Sequence, residues 1–80
     1  MEKDITIDVH IEEDDSNTVV RTVLDLRGDH FEALGRARRN PSDQPMPLIG
    51  EELALARALT SLHNQVMEAA QDKIARFLSD

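Results

Sequence analysis

No cysteine occurs in the 80 residues, which excludes a disulfide framework and every thiolate metal site. Trp and Tyr are missing too, leaving Phe31 and Phe77 as the two aromatic residues. Proteins that hold single-stranded nucleic acid stack its bases on aromatic side chains across a sheet face, a mode this composition all but rules out. No apolar run approaches the roughly 20 residues that a bilayer-spanning helix needs. The opening Met1-Glu2-Lys3-Asp4 has neither the basic nor the apolar region of a secretory leader, so a cytoplasmic protein without a membrane partner is expected. Positive charge is scarce as well. Nine Lys and Arg stand against 16 Asp and Glu, for a net charge of −7. Such a surface repels nucleic acid at long range unless a local basic patch offsets it.

The motifs of catalysis are likewise missing. There is no Gly-rich phosphate loop, nucleophile elbow, HExxH or Cys-His pair, and Ser16, Ser42, Ser61 and Ser79 have no evident His partner. The expectation is a protein that is not an enzyme, with no cofactor and no small-molecule substrate. A chain of this size buries only about 60% of its unfolded surface and is marginal without support. With disulfides and thiolate metal sites excluded, a second subunit is the remaining support, and a homodimer is expected.

What is present is period. Ile5, Ile7, Val9 and Ile11 alternate with Thr6, Asp8 and His10, the mark of a half-buried strand over 4–12. The polar stretch from Glu12 to Asn17 ends it. A second strand over 18–27 turns Val20, Thr22, Leu24 and Leu26 inward and Val19, Arg21, Val23, Asp25 and Arg27 outward. Gly28-Asp29 then fits a two-residue hairpin loop. A third strand over 30–38 has an inner face of Phe31, Ala33, Gly35 and Ala37, small enough for a helix to approach closely. All three prolines fall in 40–48, which reads as a linker.

A helix over 50–78 follows, with Glu51 and Glu52 in its first turn and a stripe of Leu55, Leu59, Leu62, Val66, Ala69 or Ala70, Ile74 and Phe77. The fold class is α+β: one domain, a three-stranded antiparallel meander followed by a long C-terminal helix. Such a helix runs on the order of 42 Å, against about 30 Å for the strands. It must overhang the sheet or break near Gln71-Asp72 into a short final helix. Ile74, Phe77 and Leu78 then need a second subunit. The sheet face without helix cover carries Val19, Val23 and Leu34, further candidates for the dimer contact.

Two polar constellations remain. His10 and Glu12 share a strand face, with His30 on the same outer side, but no metal-ligand spacing is matched and solvated strand residues are the plainer reading. Arg21, Arg27, Arg36 and Arg38 face outward by parity, with Arg39 beside them, and form the one credible polyanion-binding surface. The competing reading has them pairing with Asp8, Glu12, Asp25 and Glu32 on neighbouring strands.

The stretch from Gly35 to Asp43, Gly-Arg-Ala-Arg-Arg-Asn-Pro-Ser-Asp, is followed by Ile49-Gly50-Glu51-Glu52-Leu53-Ala54-Leu55-Ala56-Arg57-Ala58-Leu59. Together they resemble a family of small actinobacterial proteins of unknown function, some of them associated with hypoxia and dormancy. The resemblance covers most of the chain. It implies dimers with a fold like the double-stranded RNA-binding domain, and for one member a shape likened to ribosome hibernation-promoting factors. By that resemblance the chain is a stress or dormancy factor acting on ribosomes or RNA through Arg21, Arg27, Arg36, Arg38 and Arg39. It departs from an RNA binder in its contact elements. The chain opens with a strand, its first loop is Glu12-Glu13-Asp14-Asp15, and its helix begins Glu51-Glu52. The alternative is a homodimeric protein-interaction module that binds no nucleic acid.

Overall fold

Alternation in the first two apolar runs and small residues in the third produce one antiparallel sheet in the order β1-β2-β3, with β1 at Ile7–Glu13, β2 at Asn17–Leu26 and β3 at Asp29–Arg38. A single helix, α1, spans Pro47–Ser79 and completes the β-β-β-α order. The computed structural model describes residues 1–44 and 46–79. Pro45, which the linker reading included, and Asp80 lie outside the described residues.

Strand bounds fall within three residues of expectation. The helix shifts more: it starts at Pro47, inside the expected linker, and Glu51 and Glu52 fall beyond its first turn, which holds no acidic residue. Proline is favoured as the first helical residue because its missing N–H is unpaired there anyway. Nor does the helix break at Gln71-Asp72. It is continuous over 33 residues, about 50 Å of helix, and overhangs the sheet instead.

The hairpin loop is also displaced by one residue. Leu26 pairs with Asp29, so Arg27 and Gly28 form the turn, with φ of 47° and 89°. Two consecutive left-handed residues match the type I′ turn that suits strand twist. Arg27 pays about 1–2 kcal/mol for a conformation that Asn adopts more readily. Replacing Arg27 by Asn should therefore raise the melting temperature by several degrees, at ~4–8 °C per kcal/mol for a domain of this size. An unchanged melting point would mean that the turn carries no strain.

Register places Val20, Thr22 and Leu24 of β2 beside Gly35, Ala33 and Phe31 of β3 on the helix side. Thr22 is fully buried, and its Oγ1 donates to the Ala33 carbonyl at 3.3 Å, which settles its polarity. α1 contributes Ala54, Ala58 and Leu62 to the core, supported by Leu55, Val66 and Ala69. The centre of the stripe thus lies on alanines rather than on Leu55 and Leu59, and Leu59 is exposed. Gly35 explains the shift. A Cβ on Gly35 would lie 2.0 Å from the Ala54 carbonyl oxygen and 2.3 Å from the Ala58 nitrogen, so helix backbone rests directly on β3.

That close contact fixes the helix over β3 and β2. A helix is about 10 Å across and covers roughly two strands spaced 4.8 Å apart. β1 is left outside its cover. All seven β1 residues are exposed, which corrects the expectation of a half-buried strand.

Candidate functional site

Two surfaces have chemistry to offer, one on each side of the sheet. On the outer side, cross-strand register sets Asp8, Val23 and Glu32 in one row, His10, Arg21 and Leu34 in the next, and Glu12, Val19 and Arg36 in a third. Arg38 follows opposite Asn17. Three of the five expected arginines, Arg21, Arg36 and Arg38, therefore share this face. Among the described residues no carboxylate oxygen lies within 4 Å of any of the three. Asp8, Glu12, Asp25 and Glu32 are interspersed among them, so the face is a charge mosaic rather than a basic patch.

The other two arginines are elsewhere. Arg27 sits in the hairpin turn and not on the outer face, because the turn begins one residue earlier than parity assumed. Arg39 is half-buried and serves as a tie. Its Nε donates to the Asp15 carbonyl at 3.0 Å, its Nη1 to the Asp43 carbonyl at 2.6 Å, and its main-chain N–H to the Ser16 carbonyl at 2.8 Å. It joins the first hairpin loop to the segment before α1.

Val19 and Val23 are half-buried, and Leu34 lies diagonal to both with Arg21 between them. The three apolar residues expected there share the face, and Arg21 stands between them.

The histidines take part in local pairs. His30 Nδ1 lies 2.6 Å from Asp25 Oδ1, its cross-strand neighbour, and Nε2 lies 3.2 Å from Glu32 Oε1. Hydrogen bonding to Asp25, then to Glu32, raises the His30 pKa above the usual 6.5. A raised folded pKa means that the stabilisation is complete below about 6.5 and is lost as pH rises through the folded value. An NMR titration should place the His30 midpoint above 6.5, and Asp25→Asn should bring it down. A midpoint unmoved by that change would remove Asp25 as the cause. Asp14 Oδ1 accepts the main-chain N–H groups of Ser16 and Asn17, both at 2.8 Å, which lowers its pKa and orders the first hairpin loop. Among the described residues no three His, Asp or Glu side chains converge as a metal site.

The helix side carries an apolar surface whose β1 portion sequence reasoning missed. Ile7, Val9 and Ile11 pair with Leu24, Thr22 and Val20, so they point to the helix side, yet they remain 41%, 46% and 40% exposed. Between Ile7 and the flank of α1 runs an apolar groove of about 360 Å³, lined also by Leu59, Leu62, Val66, Met67 and Ala70 among others. At its end the helix projects beyond the sheet. Lys73 Nζ reaches Asp29 Oδ2 at 2.5 Å at the start of β3, and past it Ile74, Phe77 and Leu78 are exposed, Phe77 at 83%. The leucine stripe in the sequence signals an apolar flank, but which leucines stay uncovered depends on where Gly35 seats the helix.

A second cleft, of about 610 Å³, lies between the first hairpin loop and the start of α1. Arg38, Arg39, Asp14 and Asp43 line it together. Among the described residues no helix is long and apolar enough to cross a membrane.

Comparison with known proteins places this geometry among relatives. The family described as Rv2632c-like matches residues 3–80. Uncharacterised protein Rv2632c of Mycobacterium tuberculosis (strain ATCC 25618 / H37Rv) is 42% identical over 72 residues, covering 90% of this chain and 77% of the relative. Uncharacterised protein Mb1767 of Mycobacterium bovis is 35% identical over 69 residues, 86% of this chain and 73% of its own length. The crystal structure of Rv2632c superposes with a TM-score of 0.88 at 39% identity, covering 95% of this chain and 90% of that one.

Proposed function

This chain belongs to the Rv2632c-like family, and from that premise we propose that it is a non-enzymatic protein-interaction module that works as a homodimer. The observation that carries the reading is the apolar surface the chain leaves uncovered: Ile7, Val9 and Ile11 on the helix side of β1, with Ile74, Phe77 and Leu78 on the overhanging helix. Among the described residues eight apolar side chains are buried, and four of those are alanines, Ala33, Ala37, Ala54 and Ala58. So small a core supplies little stability by itself, and apolar surface of this extent is ordinarily a contact surface. Light scattering at micromolar concentration should return twice the chain mass. A monomer mass would overturn the reading.

A second reading is favoured by one specific observation, the three arginines Arg21, Arg36 and Arg38 on the outer face, which have no carboxylate partner among the described residues. In it the protein is a stress- or dormancy-type factor, with a shape like the double-stranded RNA-binding domain, that acts on ribosomes or RNA in the manner of a hibernation factor. Phosphate contacts weaken steeply with salt. Co-sedimentation with ribosomes at low salt, fading at moderate salt and abolished by Arg36→Glu with Arg38→Glu, is the expected result. No binding even at low salt removes this reading and leaves the first untouched.

A further inference from the structure

The two edges of the sheet differ in how they are finished. Thr22 Oγ1 donates to the Ala33 carbonyl, so that carbonyl faces β2, and alternation turns the carbonyls of Glu32 and Arg36 to the free edge of β3. Both are occupied. Gln65 Nε2 donates to the Glu32 carbonyl at 2.8 Å and Arg57 Nη1 to the Arg36 carbonyl at 2.7 Å. Side chains of α1 thus take acceptors that an added strand would need. β1, the opposite edge, is exposed at every residue and carries neither the Pro nor the Lys that most often blunt an edge.

The β1 sequence is also self-complementary. In Ile7-Asp8-Val9-His10-Ile11, an antiparallel pairing centred on Val9 sets Val9 against itself, Ile7 against Ile11 and Asp8 against His10. Twofold symmetry makes each unlike pairing twice. The neighbouring registers that keep the apolar residues on one face fail on charge. Centring on Asp8 opposes two copies of Asp8, and centring on His10 opposes Asp8 to Glu12 twice. Registers between these would oppose the apolar residues of one copy to the polar residues of the other and put the two helices on opposite sides of the joined sheet.

We propose that β1 pairs antiparallel with β1 of a second copy, centred on Val9, joining two three-stranded sheets into one of six strands with both helices on the same side. The inference rests on the homodimer reading above and specifies its seam. Ile7, Val9 and Ile11 of each copy gain cross-strand apolar neighbours on the side that α1 leaves open. His10, whose Nε2 lies 3.1 Å from Glu12 of its own chain, comes opposite Asp8 of the other copy. Two chains of net charge −7 repel, so the seam closes more readily at physiological ionic strength, where charges beyond about 8 Å are screened, than at low salt.

The lack of cysteine makes the seam directly testable. Cα atoms directly opposite in an antiparallel pair lie about 4.5–5.5 Å apart, within disulfide reach. On mild oxidation Val9→Cys should give a covalent dimer at least tenfold faster than Leu34→Cys on the outer face. Ile7→Cys and Ile11→Cys should each cross-link slowly alone and rapidly when mixed, which tests the register without any change at Val9. A dimer mass by light scattering with no cross-linking preference among these variants would overturn the seam while the homodimer stands. A monomer mass would remove both.

Discussion

Gly35→Ala should unfold this protein under conditions where the parent chain is folded. The methyl group would sit 2.0 Å from the Ala54 carbonyl oxygen and 2.3 Å from the Ala58 nitrogen, both main-chain atoms of α1. Overpacking that side chains can relieve costs about 1–3 kcal/mol, and here no side chain is able to move aside. The helix must lift off β3, which also loosens Ala54, Ala58, Val20 and Ala37 from one another. A loss of more than ~3 kcal/mol is expected, out of roughly 4–12 kcal/mol for a domain of this length. Thermal melting followed by circular dichroism should register a fall of about 12 °C or more. Gly50→Ala provides the contrast. Its methyl group would meet the Thr18 side chain at 2.9 Å, where rotation of a hydroxyl relieves part of the clash, so a smaller loss is expected. Equal melting points for the parent chain and Gly35→Ala would show that helix and strand are not in such close contact.

The second large effect is on assembly. Ile7→Lys combined with Ile11→Lys should leave the fold intact and weaken self-association by more than a hundredfold, or about 2.7 kcal/mol. Both side chains are about 40% exposed in the single chain, so a charge there retains access to water while the chain is monomeric. In a dimer built on the helix side of β1 the same positions lose that access, and four like charges gather around one axis. The expected observation is unchanged far-ultraviolet circular dichroism with a monomer mass at micromolar concentration. A dimer mass that survived both changes would place the contact elsewhere. The overhanging Ile74, Phe77 and Leu78 would then be the next positions to alter.

Local pattern carried most of the elements. Alternation in β1 and β2, the Gly-bearing turn, and the helical recurrence of leucines are all readable from neighbours a few residues apart, because strand and helix periods are properties of the backbone itself. The small residues Ala33, Gly35 and Ala37 even identified the strand on which the helix would rest. The errors fell where the reading needed an end or a neighbour. Proline usually interrupts structure, so composition alone assigns Pro47 to the linker, although proline also opens helices. Arg27 was set in the strand because parity does not reveal which two residues turn.

Arg39 shows the same limit at the candidate site. Its charge and position resembled those of Arg36 and Arg38, but its guanidinium is committed to the Asp15 and Asp43 carbonyls, 24 and 4 residues away. Only the folded chain brings those acceptors together. The capping of β3 by Gln65 and Arg57 is of the same kind, since it spans 33 and 21 residues and leaves no periodic trace.

By itself, then, the order of residues determined the β-β-β-α succession, the inward and outward faces of each strand, and the absence of thiol chemistry, since each follows from residue type and short-range period. Tertiary structure alone decided which inward faces are covered. The helix is only about two strands wide, and Gly35 seats its backbone over β3 and β2. Ile7, Val9 and Ile11, patterned for burial like any core strand, are therefore left uncovered.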